Sequence, residues 1–160
     1  MHTEKKLIIY TDGSSRGNPG PGGYGAILMF GNHTKELSAG FRKTTNNRME
    51  LLAVIKALEA ITKKNIPVSI YTDSRYVADA ISKGWLQNWI ATNFKGGKKN
   101  KDLWIQYQLI AKQFRINIHW VKGHADNPYN NRCDTLATTA ADGKNLLIDE
   151  GYETEEAGMY

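Results

Sequence analysis

Four carboxylates in this chain fall where one structural element should give way to the next. Asp12 follows the β-rich run Lys5–Thr11, Glu50 sits in the first turn of a helical stretch, Asp73 follows the run Pro67–Thr72, and Asp134 lies in the first turn of a last helical stretch. Strand ends and helix starts are where α/β folds gather their sites. Carboxylate oxygens are also the hard ligands that Mg2+ or Mn2+ takes. Each acid has a local explanation too: Asp12-Gly13 is a turn pair, Asn47-x-x-Glu50 a capping box, Asp73 a cap for the helix starting at Ser74, and Asp134 a complement to a helix dipole. Sequence spacing does not decide between convergence and four separate duties. If the four converge, like charges at ~4 Å repel by about 1–4 kcal/mol per pair, and a divalent cation would relieve that.

His124 lies in the loop Lys122-Gly123-His124-Ala125. An imidazole titrating near neutrality can carry a proton, although a lone histidine in a loop is more often an ordinary surface residue. His119 falls in a strand, and His2 and His33 lie in no motif.

The elements that would position these groups read clearly. Lys5–Thr11, Tyr24–Phe30 and Lys35–Phe41 are three strands, the last two joined by the hairpin-type turn Gly31-Asn32. Asn47 to Thr62 changes period, with Leu51, Val54, Ile55, Leu58 and Ile61 on one helical face. Pro67–Thr72 is a short strand, Ser74–Ser82 and Trp85–Thr92 short helices, and Asp102 caps a helix running to Phe114. Arg115–Val121 is a strand and Asn131–Ala141 a final helix. This order predicts an α/β fold: an antiparallel three-strand meander plus parallel strands in one mixed sheet, with helices on its faces.

The chain has 160 residues, 41% of them hydrophobic, which suits one domain with a full core. Its single cysteine, Cys133, excludes an intramolecular disulfide and a multi-cysteine zinc site. The start lacks the pattern of a signal peptide and no stretch has 18 consecutive apolar residues, so the expectation is a cytoplasmic protein without a membrane partner. The formal charge of +5 hides an asymmetry, because residues 145–160 hold five acids and no Lys or Arg, which leaves +10 on the rest. Lys83, Lys95, Lys98, Lys99 and Lys101 form a stretch without an acid, the composition expected of a face for a polyanion or of a solvated loop. Trp85 and Trp89, four apart within that stretch, have the spacing of packed core. The string Gly20-Pro-Gly-Gly-Tyr-Gly25 spells a dinucleotide-binding pattern, but a strand and not a helix follows it, and Pro19 and Pro21 remove backbone donors. No nucleotide cofactor is expected.

Several longer motifs occur together: Tyr10-Thr-Asp12-Gly-Ser-Ser-Arg-Gly-Asn-Pro-Gly-Pro-Gly-Gly-Tyr-Gly-Ala26, Thr44-Thr-Asn-Asn-Arg-Met-Glu50-Leu51, Tyr71-Thr-Asp73-Ser74, Trp120-Val-Lys-Gly-His124-Ala125 and Asn130-Asn-Arg-Cys-Asp134. In this order they resemble the type 1 ribonuclease H family in its bacterial form, over about residues 7–152. The resemblance implies a five-stranded mixed sheet of the ribonuclease H-like fold, and an endonuclease that cuts the RNA strand of RNA–DNA hybrids. It implies that Asp12, Glu50, Asp73 and Asp134 hold two Mg2+ ions, with Mn2+ a possible substitute. His124 would assist proton transfer or product release. Ser14, Ser15, Asn18, Thr45, Asn46 and Asn47 would hydrogen-bond the substrate, including the 2′-hydroxyl that distinguishes RNA from DNA. Trp85 and Trp89 with Lys95, Lys98 and Lys99 would form a basic handle that grips the DNA strand.

The resemblance places a catalytic domain over 1–152, in the compact form without an added hybrid-binding module; the lack of a long apolar heptad run makes a monomer the expectation, and the composition of 153–160 suggests an acidic, disordered tail lying away from the substrate. Asn131, at a place where bacterial relatives can carry an acid, and Arg75, where an uncharged residue is common, depart from the pattern and bear on fine substrate contacts. Two competitors use the same fold: a catalytically silent binding module, disfavoured because all four carboxylates and the histidine are present, and a DNA-cutting transposase or integrase core, disfavoured by the lysine-aromatic handle.

Overall fold

Residues 6–63, 65–123 and 127–158 are described in a computed structural model of the chain. Strands β1 (Leu7–Ser15), β2 (Gly20–Phe30) and β3 (His33–Thr44) form the expected antiparallel meander. Gly31 makes the hairpin turn between β2 and β3 at φ +59°, a conformation that glycine adopts without the usual steric cost. Strands β4 (Pro67–Thr72) and β5 (Arg115–Trp120) add in parallel, giving the order β3-β2-β1-β4-β5. The central pair is in register from Leu7 opposite Val68 to Thr11 opposite Thr72. The next residues along the two strands, Asp12 within β1 and Asp73 just past β4, therefore lie side by side.

Helices α1 (Asn46–Glu59), α2 (Arg75–Ser82), α3 (Trp85–Ala91), α4 (Lys101–Ala111), α5 (Pro128–Ala141) and α6 (Glu150–Glu156) complete the described residues. Met49, Leu51, Val54, Ile55 and Leu58 of α1 are fully buried, each contributing roughly 1.5–3 kcal/mol before its entropy cost. Ala53 and Ala57 are buried too, because α4 packs on α1, so α1 is a core helix rather than a one-faced one. Helix α5 covers the opposite face of the sheet. A Cβ on Gly23 or Gly25 would collide with the α5 backbone at Ala137 or Cys133, whereas one on neighbouring Gly22 would collide first with Thr44 of β3 and the Ser14 carbonyl and then meet Met49 of α1. The glycine-rich stretch thus joins the β2 ladder from Gly20 and lets two helices approach a thin sheet.

Several boundaries differ from the sequence reading. Thr45, not Asn47, caps α1, its hydroxyl accepting from Arg48 N at 3.3 Å. Asn100 flanks α4 in a left-handed conformation without a side-chain cap, and Asp102 bonds Arg48 instead. Asn127 caps α5 through the Tyr129 and Asn130 amides, so that helix starts at Pro128 and Asp134 lies in its second turn.

The tail expected to be disordered from residue 153 is ordered through 158 and carries α6. Asp149 caps it at the Tyr152 amide, Glu153 pairs bidentately with Arg42 at 2.8 and 2.9 Å, and Glu156 pairs with Lys43 at 2.7 Å. Acid-rich composition alone reads as unpaired charge, but β3 supplies the cations. Among the described residues no helix is long and apolar enough to cross a membrane.

Candidate active site

Register, one glycine and one helix turn bring three of the four carboxylates together. Gly13, just after Asp12, lies so close to α1 that a Cβ there would overlap the Met49–Glu50 backbone. Glu50 is thereby delivered to the end of β1, next to the adjacent Asp12 and Asp73. Oxygens of Asp12, Glu50 and Asp73 lie within 4.8 Å of one another, a group able to hold a metal ion. Asp134 is exposed on α5 and is not a member of that group, yet its charge reaches Asp12. Helix α5 is anchored there by Cys133, whose thiol donates to the Tyr10 carbonyl at 3.3 Å.

The local duties open to these acids are performed by other residues or not at all. Thr45 caps α1, and Ser74 caps α2 by accepting from Val77 N at 3.1 Å. Asp12 accepts from the Gly13 amide at 2.9 Å, but β1 runs on to Ser15 and makes no turn there. Glu50 Oε1 and Asp73 Oδ1 are buried with no hydrogen-bond partner among the described residues. Unpaired buried acceptors are costly, of order 1–3 kcal/mol and more for a charged group. Burial, then the charge of Asp73, pushes the Asp12 carboxyl up to about 8, against a hydrogen bond with Glu50. Burial, then Asp12, pushes Glu50 well above the ordinary range. Orphaned oxygens in a crowded, acid-only cluster fit a divalent cation, which would supply the missing positive charge.

The remaining predicted residues divide. His124 lies outside the described residues. Asn18, Thr45, Asn47, Trp89, Lys98 and Lys99 line one depression of about 640 Å3, together with Tyr76 and Asn100. Asn46 stands at its edge, its amide donating to Asn18 Oδ1 at 3.0 Å. Ser14 and Ser15 end β1 half-buried, and Trp85 and Lys95 are exposed outside that depression. The two tryptophans thus differ: Trp89 packs on Tyr76 and Trp104 with Lys98 Nζ 5.7 Å from its ring, while Trp85 is 41% exposed beside Lys83.

Sequence reasoning missed Arg48, which is almost fully buried and bonds Asp102 and Asp149 at 2.8–2.9 Å. A signal existed, since Arg48 precedes Leu51, Ile55 and Leu58 on the apolar stripe of α1, where an unpaired arginine would be costly. It also missed that Tyr152, Glu155 and Glu156 line the depression that holds Lys98 and Lys99. The acidic segment lies beside the residues assigned to substrate, not away from them.

The sequence model of the RNase H family matches residues 4–142. A ribonuclease H of Rippkaea orientalis is 51% identical over 155 residues, covering 94% of each chain. Among solved structures, a type 1 RNase H with the type 2 active-site motif superposes with TM-score 0.79 at 30% identity, over 98% of this chain and 83% of that one. LC11-RNase H1 in complex with an RNA/DNA hybrid gives 0.66 at 27% identity, over 86% of this chain and 97% of that one. The carboxylate cluster therefore sits on a fold and a sequence shared with enzymes of one kind, and the chain belongs to the RNase H family.

Proposed function

We propose that this protein cleaves the RNA strand of RNA–DNA hybrids by metal-assisted hydrolysis at the carboxylate cluster. The observation that carries the reading is the convergence of Asp12, Glu50 and Asp73 from three elements, with two of their oxygens buried and unpartnered. Asp12, Glu50, Asp73 and Asp134 would hold two Mg2+ ions, for which Mn2+ could substitute. Bound ions would place positive charge on the phosphoryl oxygens and lower the pKa of the attacking water.

The chain's own residues do the rest. Asn18, Thr45 and Asn47 offer hydrogen bonds along the depression, and Lys98 and Lys99 offer charge to a phosphate backbone. Ser14, Ser15 and Asn46 extend the polar surface, while Trp85 and Lys95 extend the basic handle. A water oxygen attacks phosphorus in line with the bond to the 3′-oxygen. That bond breaks, the 3′-oxygen takes a proton, and the products end in a 5′-phosphate and a 3′-hydroxyl. His124 would pass a proton or speed product departure. Removal of primer and R-loop RNA during replication and repair, by a monomer in the cytoplasm, is the matching cellular role.

The test is a labelled hybrid with Mg2+: the RNA strand is cut, while duplex DNA and single-stranded RNA survive. Asp12→Asn, which keeps the side-chain shape and loses the charge, should lower kcat by about 10³-fold, the loss of several kcal/mol of transition-state stabilisation. Equal cutting of duplex DNA would favour the integrase-type reading, and full activity in Asp12→Asn would place the chemistry elsewhere.

A further inference from the structure

The depression proposed to take the substrate backbone is lined by charges of both signs. Lys98 and Lys99 line it, and so do Glu155 and Glu156, from the last turn of α6. Lys98 and Glu155 also share an adjoining depression of about 500 Å3 with Phe94 and Lys101. The acids are held in place. Asp149 anchors the start of α6 on buried Arg48, and the Arg42–Glu153 pair fastens its middle. Glu156 is spoken for, bonding Lys43 at 2.7 Å and accepting from the Tyr152 hydroxyl at 3.0 Å. Glu155 is exposed and has no hydrogen bond or ion pair among the described residues. Among the described residues nothing pairs with its charge, yet α6 keeps it in the depression that Lys98 and Lys99 also line.

We propose that Glu155, supported by Glu156, forms an acidic wall that weakens the groove's hold on phosphate backbones and so limits non-specific retention of duplexes. The inference rests on the reading that this groove takes nucleic acid. Non-specific binding is almost wholly a matter of backbone charge, whereas hydrogen bonds from Asn18, Thr45 and Asn47 depend on the strand presented. A carboxylate in the groove subtracts from the first and leaves the second untouched, and the backbone charge it opposes is carried by duplex DNA and hybrid alike. Both ligands lose a similar amount, and the hybrid keeps the strand-dependent hydrogen bonds that hold it once the charge contribution is weakened.

The test is binding of wild type, Glu155→Gln and Glu155→Lys to a fluorescent duplex DNA and to a hybrid of equal length, without divalent metal, over a series of KCl concentrations. Glu155→Gln should bind duplex DNA about two- to fivefold more tightly at low salt, with a similar gain for the hybrid. The gain should shrink as KCl rises and the screening length falls. Glu155→Lys should bind tighter still, with a steeper salt dependence. Unchanged or weaker binding by Glu155→Gln, or a gain that persists at high salt, overturns the acidic wall. Circular dichroism and melting temperature matching wild type show that α6 is intact in both variants. Failure of the wild type to bind either duplex takes down the functional reading and this inference together, whereas tight wild-type binding with indifferent variants takes down this inference alone.

Discussion

Two residues apart in helix α1, Arg48 and Glu50 reach into separate clusters of buried charge that are completed in opposite ways. Around Arg48 the chain supplies every partner: Asp149 bonds it at 2.8 and 2.9 Å, Asp102 at 2.8 and 2.9 Å, and the Thr44 hydroxyl donates to Asp149 at 2.6 Å. Burial there works against charged Asp102, yet the bonds from Arg48 outweigh it and hold that carboxyl below its ordinary range. Around Glu50 the described residues supply acids and the Gly13 amide but no cation, leave two oxygens unpartnered, and burial with the charge of Asp73 pushes Asp12 up to about 8. The same helix turn thus braces the fold on one side and leaves a deficit of positive charge on the other. A cluster finished by the protein is architecture, and one left unfinished is a place for a ligand.

Breaking the finished cluster should have the largest effect on stability. Arg48→Met keeps most of the side-chain volume but leaves Asp149 buried without its cation, which costs about 3–5 kcal/mol. For a chain of this size that corresponds to a fall of roughly 6–20 °C in melting temperature. Calorimetry reads it directly, and a fall of under 2 °C would show that the network is dispensable. Arg48 also ties the start of α4 to the start of α6, so both elements should loosen in hydrogen exchange before the sheet does.

The two clusters should respond to pH with opposite signs. Asp102 has a folded pKa below its ordinary value, so its stabilisation is present above the unfolded pKa and is lost as the pH falls. Asp12 has a folded pKa raised from 3.8 to about 8, so the folded state keeps a proton that the unfolded state has released. Its contribution is present at low pH and lost as the pH rises through that window. Metal-free protein should therefore lose on the order of 5 °C of melting temperature between pH 5 and pH 8. In saturating Mg2+ the loss should vanish, because the cation displaces the proton. An identical pH profile with and without Mg2+ would separate the metal from the acids.

The contrast between the clusters also explains what the sequence made legible. Pro67–Thr72 reads as a strand and is one, residue for residue, because its apolar β-branched run is bounded by turn formers. The α/β order and the mixed sheet follow from similar local signals. Convergence of the acids was not legible from spacing, since it depends on β1 pairing in parallel with β4 and on Gly13 admitting α1, both contacts between distant segments. The motif resemblance pointed to the four acids, and the geometry gathers Asp12, Glu50 and Asp73 while leaving Asp134 within electrostatic reach. The finished cluster stayed hidden because its members lie 54 and 101 residues from Arg48. The acidic tail misled for the same reason, its partners Arg42, Lys43 and Arg48 lying more than 100 residues upstream.

The most direct test of the unfinished cluster is the melting temperature of wild type and Asp12→Asn at pH 8, each with and without Mg2+. Removing one like charge is worth about 1 kcal/mol, so the metal-free variant should melt about 2–4 °C above metal-free wild type. Mg2+ should raise the wild-type melting temperature and leave that of the variant nearly unchanged. A variant that melts below wild type without metal, or an equal rise in both proteins with Mg2+, would contradict a cluster poised for a cation.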